Sequence, residues 1–468
     1  MKILLINPYI SDEIVSFFPL GLSYIARALL QKGHKVKVLD LNAYRIDEKG
    51  LSLEIKDEQF ELIGMTGMIR GYENIQKIVP IIRQHQPKAK IVLGGSLATS
   101  MPAFLLENLK IDIIVRGEGE DTITELVHCL ENGKNLSRIK GLVYKEKDKI
   151  ISTDIRGFCP DPDRFGFPAW ELFPMEEYKK SPIYDYVDPH FDKDDRRDIG
   201  ILSSRGCCYN CSYCDHQIKG YTIRMHSLDY VLQQIKILMK QYHISNFFFW
   251  DDIFTFNKNR VLAFCERIKK ENLDISWTCN GHVNLSDYKM YCQMKKAGCF
   301  SIRFGIESGS QRILDAYNKK VRVENAMKAI RMARRAGLNT ILYIMIGMIR
   351  ETEETVQETV DFIDETFKPL DLAIAPPIIQ YFYVTPIPGT ALFQQAQDLG
   401  KVGSLESYMD KLPNFHDRLT INLTDMTNEK LIRLKNELKE KIGQEISKRY
   451  YRFLSLASEL AAESGIKE

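Results

Sequence analysis

No apolar run in this sequence approaches the roughly 20 residues that a membrane-spanning helix needs. The opening segment, MKILLINPYI, stops at Asn7-Pro8 before it could form the apolar core of a signal peptide. The expectation is therefore a cytoplasmic protein with no transmembrane segment. Charge of either sign is also nearly absent in net terms: 64 lysines and arginines against 62 aspartates and glutamates leave +2. That balance gives no field for nucleic acid or an anionic membrane surface. Internal repeats and extended low-complexity segments are missing. Ten cysteines in 468 residues are too sparse for a disulfide framework, but four of them fall within Cys207 to Cys214. In a reducing compartment a tight cysteine group is more often metal-binding or catalytic. With 44% hydrophobic and 27% charged residues, the chain is a folded protein too long for one core.

Residues 1–135 alternate between strand-like and helix-like patterns. Strand candidates are Lys2 to Ile6, Lys35 to Leu39, Glu61 to Met65, Lys90 to Leu93 and Ile111 to Val115. Helical spacing runs through Leu20 to Leu30, Glu73 to His85, Ala103 to Leu109 and Asp121 to Leu130. Such alternation predicts a doubly wound parallel sheet with helices on both faces. Ligands sit at the carboxyl ends of strands in that architecture. Here those ends carry Asn7-Pro8, Thr66-Gly67, Gly94-Gly95-Ser96 and Gly117-Glu118-Gly119-Glu120. Residues 136–198, rich in Pro, Asp and Gly from Cys159 to Ala169, read as a linker.

From Ile199 the alternation resumes. Strands are expected at Ile199 to Ser203, Asn246 to Trp250, Ile275 to Cys279, Phe300 to Phe304, Thr340 to Ile346 and Ile378 to Val384. Helical patterns at Leu228 to Gln241, Asn259 to Glu271, Asp287 to Ala297 and Val323 to Ala336 separate them. This α/β pattern predicts a partial (β/α)6 barrel over 199–400, with active groups at the carboxyl ends of its strands. Cys207, Asp251, Asp252, Asn280, Glu307 and Gly347 all follow expected strands. Residues 401–468 read as a charged helical region beside the barrel. That tail and the segment from Tyr178 to Asp198 are positioned to cover its mouth.

Cys207, Cys211 and Cys214 form C-x3-C-x2-C within SSRGCCYNCSYC. Three thiolates leave one iron of a four-iron cluster without a protein ligand, an open position where a substrate can bind. A zinc site using Cys207 or Cys208 with Cys211, Cys214 and His216 is the alternative, and Cys208 stays unassigned. The spacing, with Ser204-Arg205-Gly206 before it and Tyr213 before the last cysteine, resembles the radical S-adenosylmethionine (SAM) superfamily. The resemblance implies a [4Fe-4S] cluster on Cys207, Cys211 and Cys214 that reduces SAM to a 5′-deoxyadenosyl radical. It also implies an external one-electron reductant such as flavodoxin or ferredoxin. It further implies SAM contacts from Tyr213, Asp251, Asp252, Glu307 in FGIES, and Gly347 in the strand behind the adenine. Relatives often carry Pro-Gly where this chain has Ile349-Arg350. Arg303 is expected to face away from that site, on the alternation of a strand.

The N-terminal domain joined to such a barrel resembles the cobalamin-binding (B12-binding) radical SAM family. The resemblance implies a cobalamin site at Asn7, Pro8, Gly21, Thr66, Gly94, Gly95, Ser96, Gly117, Glu118 and Gly119. The Asp-x-His-x-x-Gly motif of some cobalamin domains is absent, and His34 lies in a helix-to-strand turn. No protein histidine is therefore expected on cobalt. The implied activity is methyl transfer to an unactivated carbon or phosphorus of a small-molecule or natural-product substrate. A cyclase, ring-contraction or dehydration enzyme is the alternative. A cobalamin sensor or zinc-stabilised scaffold without catalysis is a third.

Overall fold

The computed structural model describes residues 1–9, 17–180, 198–368, 376–412 and 418–464. Most of the segment expected over the barrel mouth, residues 181–197, lies outside the described residues. Fifteen strands form three sheets among those described.

The first sheet contains β1 (Lys2–Asn7), β2 (Lys35–Asp40), β3 (Leu62–Thr66), β4 (Lys90–Gly94) and β5 (Ile113–Val115), all parallel. Its side chains alternate between two cores. Ile3, Leu5, Leu62, Val92 and Ile113 pack toward helices 20–31 and 120–131. Leu4, Ile6, Ile63, Ile91 and Ile114 pack toward helices 48–55, 72–85 and 102–108. Burial on both faces explains why β1, β3 and β4 read as near-continuous apolar runs, whereas the edge strand β2 alternates. The spatial order β2-β1-β3-β4-β5 reverses direction between β1 and β3, and a crevice opens outside the carboxyl ends at such a reversal.

The expected linker is partly sheet. β6 (Leu142–Glu146) and β7 (Lys149–Ser152) form a hairpin that adds two antiparallel strands beyond β5. Its two turn residues, Lys147 and Asp148, both have positive φ (46° and 64°), the twist a two-residue hairpin requires. Neither is glycine or asparagine, so the usual turn signal is missing. Residues 162–180 then wrap helix 20–31, where Arg27 pairs with Glu171 at 2.6 Å and donates to the carbonyl of Phe167.

The second domain starts at β8 (Asp198–Ile201). A short antiparallel ribbon of β9 (Ser204–Arg205) and β10 (Arg224–Met225) brackets the cysteine segment. β11 (Asn246–Phe249), β12 (Ser276–Gly281), β13 (Cys299–Glu307), β14 (Asn339–Ile346) and β15 (Ile378–Tyr383) follow. Together with β8 they make an open six-stranded parallel sheet in the order β15-β14-β13-β12-β11-β8. This is the expected partial barrel. Phe247, Phe249, Trp277 and Cys279 point to the surrounding helices. Phe248 and Trp250, alternating with them, pack edge-on with ring centres 4.4 Å apart on the inner face. Within the expected tail, helix 428–464 lays Leu431, Leu438 and Ile442 into the barrel core.

Gly200 has no room for a side chain, since a Cβ there would lie 1.9 Å from the Trp250 indole nitrogen. Gly200→Ala should therefore lower stability by about 1–3 kcal/mol. Gly443→Ala, in open space on helix 428–464, should gain about 0.5–1 kcal/mol. Thermal denaturation of the two variants should move in opposite directions.

Candidate functional site

The carboxyl ends of the two parallel sheets share one cavity of about 340 Å³. On the N-terminal side its walls include Gly21, Thr66, Gly94, Gly95, Gly117, Glu118 and Gly119; on the barrel side they include Ser204, Arg205, Gly206, Trp250 and Asp252. Seven of the ten residues expected at cobalamin thus line one space. Side chains built at Gly21 or Gly117 would meet nothing within 4 Å, so they would project into open volume; Gly117 also has φ +69°. Gly95, at φ +90°, is fixed by close approach, since a Cβ would lie 2.7 Å from the Gly67 carbonyl. Such a glycine cradle fits a bulky ligand.

Asn7, Pro8 and Ser96 are not among the cavity walls. Asn7 is buried and donates to Asp40 at 2.9 Å, and the Tyr178 hydroxyl donates to the same carboxylate. Asn7 thereby helps anchor the 175–180 helix. The Ser96 hydroxyl lies 3.5 Å from the carbonyl of Gly67. Glu118 does line the cavity, but both its oxygens accept from Arg224 at 2.7 Å. His34 sits at the amino ends of the strands, away from the cavity, 3.4 Å from the amino terminus.

The cysteine segment is held through its backbone. Ser212 donates to the Tyr317 carbonyl at 3.0 Å and accepts from Leu392 at 2.9 Å. Asn318 donates to the Asn210 carbonyl at 2.6 Å. Tyr209 stacks on His282 with ring centres 3.8 Å apart. Cys211 is buried, Cys207 and Cys214 are half-buried, and Cys208 is exposed. The Cys214 thiol, hydrogen-bonded to Cys211, together with Lys319 draws the Cys211 thiol down to about 6 against the opposing effect of burial. A lowered thiol is a better metal ligand. Among the described residues no group of three or more His, Cys, Asp and Glu side chains closes to metal-ligating separation. His216, the candidate fourth zinc ligand, stacks on Tyr221 at 4.6 Å.

Asp251 and Asp252 part company. Asp251 is 1% exposed and accepts from the Ser203 amide at 2.7 Å, the Ser203 hydroxyl at 2.7 Å and the Ser204 hydroxyl at 2.5 Å. Burial raises its carboxyl, and these donors oppose that rise. Asp251 pins the chain leaving β8 to the end of β11, whereas Asp252 faces the cavity. On a bulge at the end of β13, Glu307 takes φ +69° and pairs with buried Lys319 at 3.0 Å. A Cβ at Gly305 would lie 2.4 Å from the Glu307 carboxylate and would push it off this position. Burial alone would lower Lys319, but Glu307 and the cluster thiols override it and raise the amine. Tyr213 lies beside this pair, with the Lys319 amine 5.8 Å from its ring centre. Burial, then Glu307, raises its hydroxyl. Lys319 gave no motif signal.

Gly347 has φ +91° and its amide donates to Glu351 at 2.5 Å. Leu431 of the C-terminal helix would lie 3.3 Å from a Cβ there. Buried Glu351 organises the turn in place of the absent Pro-Gly. Arg303 corrects the sequence reading: it points into the barrel, 2% exposed, donates to Thr278 at 2.7 Å and lies over the Phe248 ring at 4.4 Å.

Residues 201–363 match the Radical SAM superfamily and residues 15–127 match the B12 binding domain. The chain is 33% identical over 403 residues to an uncharacterized methyltransferase of Pyrococcus horikoshii, covering 85% of this chain and 83% of that protein. It is 28% identical over 421 residues to the anaerobic magnesium-protoporphyrin IX monomethyl ester cyclase of Rubrivivax gelatinosus, covering 87% and 72%. Among solved structures, the cobalamin-dependent SAM radical enzyme OxsB, with aqua-cobalamin and SAM bound, superposes with a TM-score of 0.77. That match has 17% identity and covers 98% of this chain and 71% of that one. The chain belongs to the cobalamin-binding radical SAM family. It is a cobalamin-dependent radical SAM enzyme whose cofactors are a [4Fe-4S] cluster, SAM and cobalamin, not a zinc scaffold. No helix among the described residues is long and apolar enough to cross a membrane.

Asp252→Ala should weaken SAM binding about 10- to 100-fold, the factor carried by a charge-assisted hydrogen bond of roughly 1.5–3 kcal/mol. Iron content should stay intact. Asp251→Ala should instead lose iron and stability together. Equilibrium SAM binding alongside iron quantitation separates the two.

Burial pushes Glu351 up to about 7 from its ordinary 4.5, although the Gly347 and Met348 amides oppose the shift. The folded protein thus binds more protons than the unfolded chain between those values. This contribution to stability is full below about 4.5 and is lost as pH rises through about 7. Glu351→Gln should flatten that decline in melting temperature.

Proposed function

We propose that the protein is a methyltransferase that modifies an unactivated carbon or phosphorus centre of a small molecule. The observation that carries this reading is the single cavity walled by the glycine loops of the cobalamin domain and by Gly206, Trp250 and Asp252 of the barrel. One space reached from both domains suits a substrate that must meet two cofactors. The 33%-identical relative named a methyltransferase supports the same reading.

Cys207, Cys211 and Cys214 hold the cluster, with Cys208 outside the ligand set. Asp252, Tyr213, Glu307, Lys319 and Gly347 bind SAM. Gly21, Thr66, Gly94, Gly95, Gly117 and Gly119 cradle cobalamin. When bound, the cluster and SAM supply a hydrogen-abstracting radical, and cobalamin supplies a methyl carrier. The protein binds and orients these groups, and its apolar walls, Leu5, Val92 and Val115 among them, exclude water. The Glu307–Lys319 pair sets a fixed carboxylate beside the cysteine segment. An external one-electron donor such as flavodoxin or ferredoxin serves the cluster.

Ring formation is the second reading, favoured by the 28% identity to the magnesium-protoporphyrin cyclase. Product mass decides. Methylation adds one methylene unit to the substrate and yields S-adenosylhomocysteine as well as 5′-deoxyadenosine. Reconstituted protein that forms 5′-deoxyadenosine but never transfers a methyl group would sink the methyltransferase reading. Single alanine variants of Cys207, Cys211 and Cys214 should abolish SAM cleavage, while Cys208→Ala should retain it.

A further inference from the structure

Arg205 and Arg224 stand directly opposite each other across the β9–β10 ribbon. Like charges in that position repel. Between them in sequence lies the whole cysteine segment, which begins at Gly206 with φ +97°. The carboxylates that oppose this repulsion come from the other domain. Arg205 pairs with Glu120 at 2.7 Å and with Glu118 at 3.5 Å; Arg224 pairs with Glu118 at 2.7 Å. The four side chains are only 6–17% exposed, so solvent screens their interaction little. Arg205 also lies 4.7 Å from the ring centre of Tyr24, another cavity wall.

The loop that supplies both carboxylates is the Gly117–Glu120 loop lining the cavity. It is tethered at Gly117 by the Thr99 hydroxyl at 2.9 Å. A ligand pressing on this loop therefore acts on the two arginines that root the cysteine segment. We propose that Glu118 and Glu120 are positioning residues that couple cobalamin occupancy of the cavity to the geometry of the cluster loop. The inference rests on the cofactor assignment above. Coupling of this kind is reciprocal, so a loaded cluster must tighten cobalamin binding by the same factor that cobalamin favours the loaded loop.

The test titrates cobalamin by absorbance into full-length protein, once with the cluster reconstituted and once after iron chelation. The cluster-loaded wild type should bind cobalamin at least about fivefold more tightly, the low end of measured couplings. In Glu120→Gln that ratio should fall toward one, and Glu120→Asp should restore part of it. Adding cobalamin should also shift the electron paramagnetic resonance spectrum of the reduced wild-type cluster and leave that of Glu120→Gln unmoved. Equal affinities in the two wild-type states would overturn the proposal. So would a Glu120→Gln variant that weakens binding equally in both states, because that marks a merely structural residue. If Glu120→Gln does not fold, Glu118→Gln and Glu120→Asp carry the same comparison. A wild type that takes up no iron or no cobalamin refutes the cofactor assignment instead, a distinguishable result.

Discussion

The Asp251 carboxylate is the pin on which the site turns. It accepts three hydrogen bonds from Ser203 and Ser204 while fully buried. Taking a carboxylate out of water costs several kcal/mol, and charge-assisted hydrogen bonds of roughly 1.5–3 kcal/mol each offset that cost. The pin fixes the point where the chain leaves β8, and everything functional departs from there. Ser204 and Arg205 enter the ribbon, Gly206 turns, and the cysteine segment follows. One residue further along, Asp252 faces the cavity. Two consecutive aspartates thus divide duties, Asp251 holding the chain that leaves β8 and Asp252 lining the pocket.

Much of this was legible in the sequence because the signals were periodic or positional. Parallel strands buried on both faces give apolar runs, and helices between them give 3.6-residue spacing. All the expected barrel strands appear within a few residues of their expected bounds. The glycines expected at strand ends, Gly94, Gly95, Gly117 and Gly119, line the cavity, as does Gly21 in the first turn of helix 20–31. The hairpin of β6 and β7 escaped because Lys147-Asp148 makes its turn at positive φ without the glycine or asparagine that usually signals one.

Side-chain direction was less legible. Strand alternation puts Arg303, Gly305 and Glu307 on one face, and the ladder of β13 is regular from Ser301 to Gly305, ahead of the bulge at Glu307. That face is the barrel interior, where Arg303 meets Thr278 and Phe248 and Glu307 meets Lys319, so the expectation that Arg303 faces away from the site did not follow from the alternation. Likewise, nothing local distinguishes a carboxylate that meets a ligand from one that meets an arginine. Glu118 sits in a glycine-rich strand end, as a ligand contact would, yet its oxygens are taken by Arg224, 106 residues away in sequence. Long-range partners of this kind leave no periodic trace.

The same long-range pairing explains how a modular chain can act as one catalyst. Two domains that merely touched would leave the spacing between their cofactors free to vary, since interfaces within a chain are often small and mobile. Here the contact is made by desolvated charges, supplemented by Ser100 donating to Asp215 at 2.8 Å and the Tyr24 and Tyr230 hydroxyls 3.1 Å apart. All three contacts join the N-terminal domain to β9, β10 or the segments flanking them. Burying paired charges adds little net stability but penalises any docking that leaves one unpaired. The interface therefore selects one relative placement of the two sheets, and radical chemistry shared between two cofactors depends on that placement.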